Sequence, residues 1–228
     1  MLLYVVRHGV TAWNRLRKVQ GRADIPLAEE GVRLAEKTGK ALQNVPFDLC
    51  FSSPLKRAVQ TAECILGDRK IPVITDERIQ EIDFGVLEGT QFKDEYGNIS
   101  HKQMEIFFHR PSEYERPENG ENIEDILKRT EEFWKDITGR EELSDKTILI
   151  SSHGCAVRAL LQNVYQDREN FWHGKVPPNC AVSIVDVEDG KAVLTASDQI
   201  YYDPAECVDF RTGKPAGADA LQPAHFVI

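Results

Sequence analysis

Short apolar runs at residues 2–6, 47–52, 71–75, 147–151 and 181–187 alternate with helix-like stretches, and this rhythm restricts the fold more than any other feature. Runs this short, bounded by turn or helix signals, read as buried strands, since a membrane-spanning helix needs about 20 apolar residues. Strands separated by helices imply parallel pairing, because parallel neighbours require a crossover connection. The expected fold is α/β, a three-layer α/β/α sandwich around a mostly parallel central sheet. A length of 228 residues suits a single domain, taken as 1–228.

The segment 29–43 spaces Gly31, Ala35, Gly39 and Gln43 four apart. An internal glycine costs a helix about 1 kcal/mol relative to alanine, so this small-residue stripe is expected to let the helix approach a sheet closely. Ser53 and Pro54 read as the N-cap and first residue of a helix whose apolar face is Leu55, Ala58, Val59, Ala62 and Ile65. The stretch Ser151-Ser152-His153-Gly154 joins the fourth run to a helix over 156–165. Between about residues 86 and 125 the rhythm breaks, and Phe92, Tyr96, Phe107, Phe108 and Tyr114 accompany many acids; an inserted cap is expected there. From 203 onward Pro204, Gly213, Pro215, Gly217 and Pro223 predict an irregular tail, 203–228, whose Phe226, Val227 and Ile228 are apolar enough to dock on the body.

A net charge of −9 argues against nucleic acid or an anionic membrane as the main partner, since both draw on broad basic surfaces. The odd set Cys50, Cys64, Cys155, Cys180 and Cys207 contains no Cys-x-x-Cys pair, so reduced thiols in a cytoplasmic setting are expected rather than a disulfide framework or zinc ribbon. The histidines His101, His109, His173 and His225 show no metal-ligand spacing, and neither a metal nor another cofactor is expected.

Arg7-His8-Gly9 directly follows the first run, and ligands in open α/β sheets bind beyond the carboxyl ends of strands. A neutral imidazole is a nitrogen nucleophile at neutral pH, and a guanidinium offers a fork of donors to phosphate oxygens. The pair therefore suits phosphoryl transfer, although alone it is weak evidence and fits a structural role more readily. The most basic stretch in this acidic chain is Arg15-Leu16-Arg17-Lys18-Val19-Gln20-Gly21-Arg22. Ordinarily it would be a solvated face; the sharper expectation is that Arg15, Arg17, Lys18 or Arg22 meets a second anionic group on a substrate. Cys155 heads no Cys-x5-Arg phosphate loop, since Arg158 follows too soon, and it reads as a small packing residue.

The extended run Arg7-His8-Gly9-Val10-Thr11-Ala12-Trp13-Asn14, then Gln20-Gly21 and Asp24-Ile25-Pro26-Leu27, resembles the signature of the histidine phosphatase superfamily, the phosphoglycerate-mutase-like proteins. Further matching blocks follow in order: Ser52-Ser53-Pro54 with Arg57, Glu81-Ile82-Asp83-Phe84-Gly85, Gly120-Glu121, and Ser152-His153-Gly154. The resemblance implies that His8 is a nucleophile forming a phosphohistidine, that Arg7, Arg57 and His153 hold the phosphoryl oxygens, and that Glu81 is the general acid. It also implies that Asn14, Gln20, Gly21 and Gly154 contribute to the phosphate and substrate site. Asp83 and Glu88 are alternative carboxylates, and Thr11 is expected to bond locally. To donate a proton at neutral pH, Glu81 should have a raised pKa.

The expected activity is metal-independent hydrolysis of small phosphorylated metabolites. A phosphoglycerate-type phosphomutase is an alternative, disfavoured because Gly85-Val86-Leu87-Glu88-Gly89-Thr90-Gln91-Phe92 stands where those mutases carry Gly-Leu-Thr/Gln-Gly-Leu-Asn-Lys. A non-catalytic module binding phosphorylated ligands is a third reading. The expected partner is a small phosphate ester, with a homodimer left open.

Overall fold

The computed structural model describes residues 1–92 and 101–206. Its strands are β1 (Leu2–Arg7), β2 (Leu49–Ser52), β3 (Val73–Thr75), β4 (Thr147–Ser152), β5 (Val182–Glu188) and β6 (Lys191–Gln199). The helices are α1 (Ala12–Arg15), α2 (Glu29–Ala41), α3 (Lys56–Leu66), α4 (Lys102–His109), α5 (Ile123–Gly139) and α6 (Gly154–Leu161). One sheet runs in the order β3-β2-β4-β1-β5-β6. The pairs β3–β2, β2–β4 and β4–β1 are parallel, and β5 and β6 add an antiparallel edge, so the sheet is mixed but mostly parallel.

Pleat alternation builds the three layers. Leu3, Val5, Ile148 and Ile150 join Phe133 and Ile137 of α5 and Val157 and Leu160 of α6 in one core. Val6 and Leu149 point the other way, to Ala62, Ile65 and Leu66 of α3. Burial on both faces is why β1 and β4 read as nearly unbroken apolar runs.

Several expected details change. The small-residue stripe of α2 does not meet the sheet: a Cβ at Gly31 would lie 2.1 Å from the Val10 carbonyl oxygen, and one at Gly39 would lie 2.8 Å from backbone atoms of Cys64 and Ile65. The stripe thus lets α2 lie against α3 and against the loop after β1. The helix α3 begins at Lys56 with Leu55 at its N-cap, two residues later than expected, although Ser53 Oγ does accept from the Leu55 N–H at 3.3 Å. The helix after β4 is α6, starting at Gly154 and ending at Leu161. The strand β6 is an addition, formed by a hairpin at Asp189 and Gly190, whose φ values of 49° and 74° suit a tight primed turn.

Within 86–125, α4 contributes Met104 and Phe107 to a cluster with Phe84, Phe92, Tyr114 and Trp172. Tyr96 falls outside the described residues, as do Cys207, His225 and the tail after Glu206, including the proposed docking of Phe226 to Ile228.

Candidate active site

Strand register assembles the site. Arg7 pairs with Ser152 across β1–β4, and Ser52 pairs with Ser151 across β2–β4. The residue after each strand, His8, Ser53 and His153, therefore emerges beside the others at the carboxyl edge of the sheet. The His8 and His153 ring centroids are 5.2 Å apart.

The tautomer of His8 follows from its neighbour. Its Nδ1 lies 2.7 Å from the Gly9 carbonyl oxygen, which can only accept, so Nδ1 carries the proton and Nε2 keeps its lone pair. Burial, then the charges of Arg57 and Arg7, hold its pKa well below 6.5, leaving the ring neutral. A neutral imidazole with a fixed free lone pair is a ready nucleophile.

His153 is oriented from both sides. Arg57 Nε donates to its Nδ1 at 3.1 Å, which leaves Nε2–H to donate to Ser53 Oγ at 2.8 Å. Arg57 also donates from Nη1 to the Ala23 carbonyl at 2.7 Å and from Nη2 to the Gly21 carbonyl at 2.5 Å. Both Arg57 and His153 have no exposed surface, and burial pulls the Arg57 pKa down to about 10. The structure thus brings these two residues to His8, a buried cation and a neutral imidazole bonded to it, but neither forms part of the cleft wall. Gly21 likewise serves Arg57 through its carbonyl and does not line the cleft.

The cleft itself is lined at one end by Arg7, His8, Asn14, Gln20, Glu81 and Gly154. Arg7 Nη1 donates to the Pro177 carbonyl at 2.5 Å. Thr11 bonds locally, as expected, and it organises two site residues: its N–H donates to Asn14 Oδ1 at 3.1 Å and its hydroxyl to Gln20 Oε1 at 2.6 Å. With those oxygens engaged, the amide NH₂ groups of Asn14 and Gln20 are the ends available to an anion.

Glu81 sits at the N-terminus of α6. Its carboxylate accepts from the N–H groups of Cys155 at 3.1 Å, Ala156 at 3.0 Å and Ile82 at 3.0 Å, capping a helix whose own N-cap residue, His153, makes no side-chain cap. Burial pushes the Glu81 pKa above the usual carboxylate range, opposed by those three donors and by Arg57. Arg129 fixes the chain around it by donating to the carbonyls of Arg78, Gln80 and Glu81. The alternative carboxylates have other work. Glu88 accepts from the N–H groups of Arg22, Ala23 and Phe84, and Asp83 lies 3.7 Å from Arg22; neither lines the cleft.

Sequence reasoning overlooked the segment 175–180, which clasps the end of β1. Val176 lines the cleft, Pro177 accepts from Arg7, and Asn179 Nδ2 donates to the His8 carbonyl at 2.9 Å. Arg158, fully buried on α6, donates twice to the Lys175 carbonyl, at 3.0 Å and 2.6 Å, and is ion-paired with Asp198 on β6. The paired helix arginine and the Asn-Cys step before β5 were the available signals.

The cleft end lined by Arg7, neutral His8 and Glu81 thus lies at the carboxyl edge of a mostly parallel sheet, in an α/β protein. Residues 3–199 match the model of the histidine phosphatase superfamily (branch 1), and the chain belongs to that family. It is 32% identical over 169 residues, 72% of this chain and 75% of the other, to 2,3-bisphosphoglycerate-dependent phosphoglycerate mutase 2 of Gloeobacter violaceus. Among solved structures, Bacillus stearothermophilus YhfR superposes with a TM-score of 0.79 at 32% identity, covering 87% of this chain and 97% of that one. The alpha-ribazole phosphatase of Shigella flexneri gives a TM-score of 0.75 at 27% identity, covering 87% and 96%.

Proposed function

We propose that the protein hydrolyses phosphomonoesters through a phosphohistidine on His8 Nε2. The observation that carries this reading is the Nδ1–H bond to the Gly9 carbonyl, which leaves Nε2 as the free nucleophile of a buried, neutral ring. In the first step the Nε2 lone pair forms a bond to phosphorus and the P–O bond to the alcohol breaks. The departing alkoxide takes the proton of Glu81. In the second step the Glu81 carboxylate accepts a proton from water, the water oxygen bonds to phosphorus, and the N–P bond breaks to release phosphate and restore His8. Arg7 and Arg57 offset the charge of the transferring group, Arg57 from the buried layer where neutral His153 accepts its Nε–H.

Hydrolysis is favoured over mutase activity by the rest of the cleft. A mutase must retain a bisphosphorylated intermediate with several charges beyond the reacting phosphoryl. Past Arg7, the cleft wall presents, among the described residues, one cation, Lys18, beside Phe84, Phe92, Phe107, Phe108 and Trp172. The family contains both activities, as the mutase and phosphatase relatives show by name.

The test is turnover of p-nitrophenyl phosphate beside a His8→Ala control. The expected result is steady phosphate release that the control loses by about 10⁶-fold, the scale for removing a nucleophile. Equal rates in the two proteins would refute the reading. Supplying 3-phosphoglycerate with 2,3-bisphosphoglycerate separates the two activities, with phosphate release expected and isomerisation not.

A further inference from the structure

The cleft beyond the phosphate end has a composition that restricts what can leave from phosphorus. Phe84, Phe107 and Trp172 are nearly enclosed, and Phe107 contacts the other two edge-on with ring centroids 5.1 Å apart. Phe108 stacks on Trp172 at 5.5 Å with an interplanar angle of 25°, and it is half-buried. The Trp172 indole N–H donates to the Phe107 carbonyl at 3.1 Å, so the ring offers its apolar surface to the cleft, not a donor. A sugar or polyol here would lose water from its hydroxyls and find few hydrogen-bond partners among the described residues of this wall. A flat apolar body would gain from the same surface.

Lys18 is the exception in this wall. Of the four basic residues in the 15–22 stretch, Arg15 lies 3.5 Å from Glu30 and Arg22 is paired with Glu121 and Asp83. Arg17 is exposed and does not line the cleft. Lys18 does line it, and its Nζ lies 5.7 Å from the centre of the Trp13 ring with no carboxylate partner among the described residues. A half-buried ammonium at the edge of an aromatic slot is placed for an anion that the slot does not itself supply.

We infer that the leaving group has a flat, ring-containing body with one anionic substituent, such as a carboxylate, at the end remote from the phosphoryl group, the ring lying on Phe108 and Trp172 and the anion meeting Lys18. This inference rests on the hydrolase reading above. The reacting bond is the one already described, and only the recognition of the alcohol is new.

The test compares benzyl phosphate, 4-carboxybenzyl phosphate and ethyl phosphate. All three release primary alcohols, so differences in kcat/KM report recognition rather than the ease of P–O cleavage that would favour phenyl esters. The wild-type protein is expected to prefer benzyl over ethyl phosphate by about tenfold or more, the scale of a small apolar group in a matching pocket. It is expected to prefer 4-carboxybenzyl over benzyl phosphate by a further fewfold. The Phe108→Ala variant should lower the benzyl-to-ethyl ratio, and Lys18→Met should abolish the preference for the carboxylate. Turnover of all three esters at ratios near one in the wild type would overturn the inference while leaving the hydrolase intact. Absence of turnover on all three and on p-nitrophenyl phosphate would overturn the hydrolase reading, and this inference with it.

Discussion

The two ends of the cleft are built from different materials and bear on the fold in different ways. At the phosphate end, Arg7, His8 and Glu81 are held by hydrogen bonds to backbone groups that the sheet and α6 leave free, namely the Gly9 and Pro177 carbonyls and the Cys155, Ala156 and Ile82 N–H groups. At the far end, Phe84, Phe107 and Trp172 are held by one another and by the apolar cluster under α4. Strand ends and a helix N-terminus fix a polar geometry without needing local core. An aromatic wall is itself core. Changes at the first end should therefore remove turnover with little loss of stability, and changes at the second should do the reverse.

Glu81→Gln breaks the comparison most sharply if it is wrong. The amide keeps most of the carboxylate's shape but supplies no proton, so kcat/KM for alkyl phosphates should fall by about 10²–10⁴-fold, while the acceptor lost at the start of α6 should cost only about 0.5–2 kcal/mol of stability. p-Nitrophenyl phosphate, whose leaving group needs no proton, should lose far less. Equal losses on both esters would show that Glu81 is not the acid. On the wall, Phe107→Ala should cost about 3–5 kcal/mol in denaturant unfolding, because the ring is enclosed by Phe84, Phe108, Tyr114 and Trp172. A loss below 1 kcal/mol, by the same scale, would place Phe107 outside the core.

Arg158 supports the cleft from the body of α6, because it holds the Lys175 carbonyl next to the lining residue Val176. Arg158→Met should cost about 3 kcal/mol by leaving Asp198 without its cation, and a paired Asp198→Asn change should restore part of that. Full stability in the single variant would remove the pair from the account.

The smallest effect concerns pH. Burial holds His8 and His153 neutral in the fold, well below 6.5. Unfolding lets both take up protons below that value, so the unfolded chain binds more protons and stability falls as the pH drops through 6.5. Glu81 acts in the opposite sense. Its raised pKa means that the fold keeps a proton which the unfolded chain releases near 4.5, so its burial penalty is relieved on acidification. The melting temperature should decline from about pH 7 to about pH 5, and more steeply in Glu81→Gln. A shallower decline in that variant would contradict the assignment.

The fold was readable where burial is two-sided, since β1 and β4 carry unbroken apolar runs that only an enclosed strand needs. The strand β6 was not, because its alternating inner positions are only half-buried and Lys191–Gln199 carries charged and small residues; its one local signal was Asp189-Gly190. The site was readable through the ordered blocks around His8, Glu81 and His153. What the blocks could not reveal is orientation. That Arg57 and His153 lie beneath His8 depends on carbonyls at Gly21 and Ala23, brought near by the Glu88 contacts to Arg22 and Ala23. The clasp at 175–180 was hard to read for a related reason, since apart from Asn179 it acts through carbonyls at Lys175 and Pro177 that any sequence possesses.

Hydrolysis by this site requires the phosphoryl group to pass through His8 Nε2. Rapid mixing with p-nitrophenyl phosphate, quenching in base to preserve phosphoramidates, and peptide mass spectrometry would test it directly. A transient phosphoryl group is expected on the peptide bearing His8, located on Nε2 and absent from His8→Ala. Sustained turnover with no phosphorylated His8, or with the group on another residue, would contradict it.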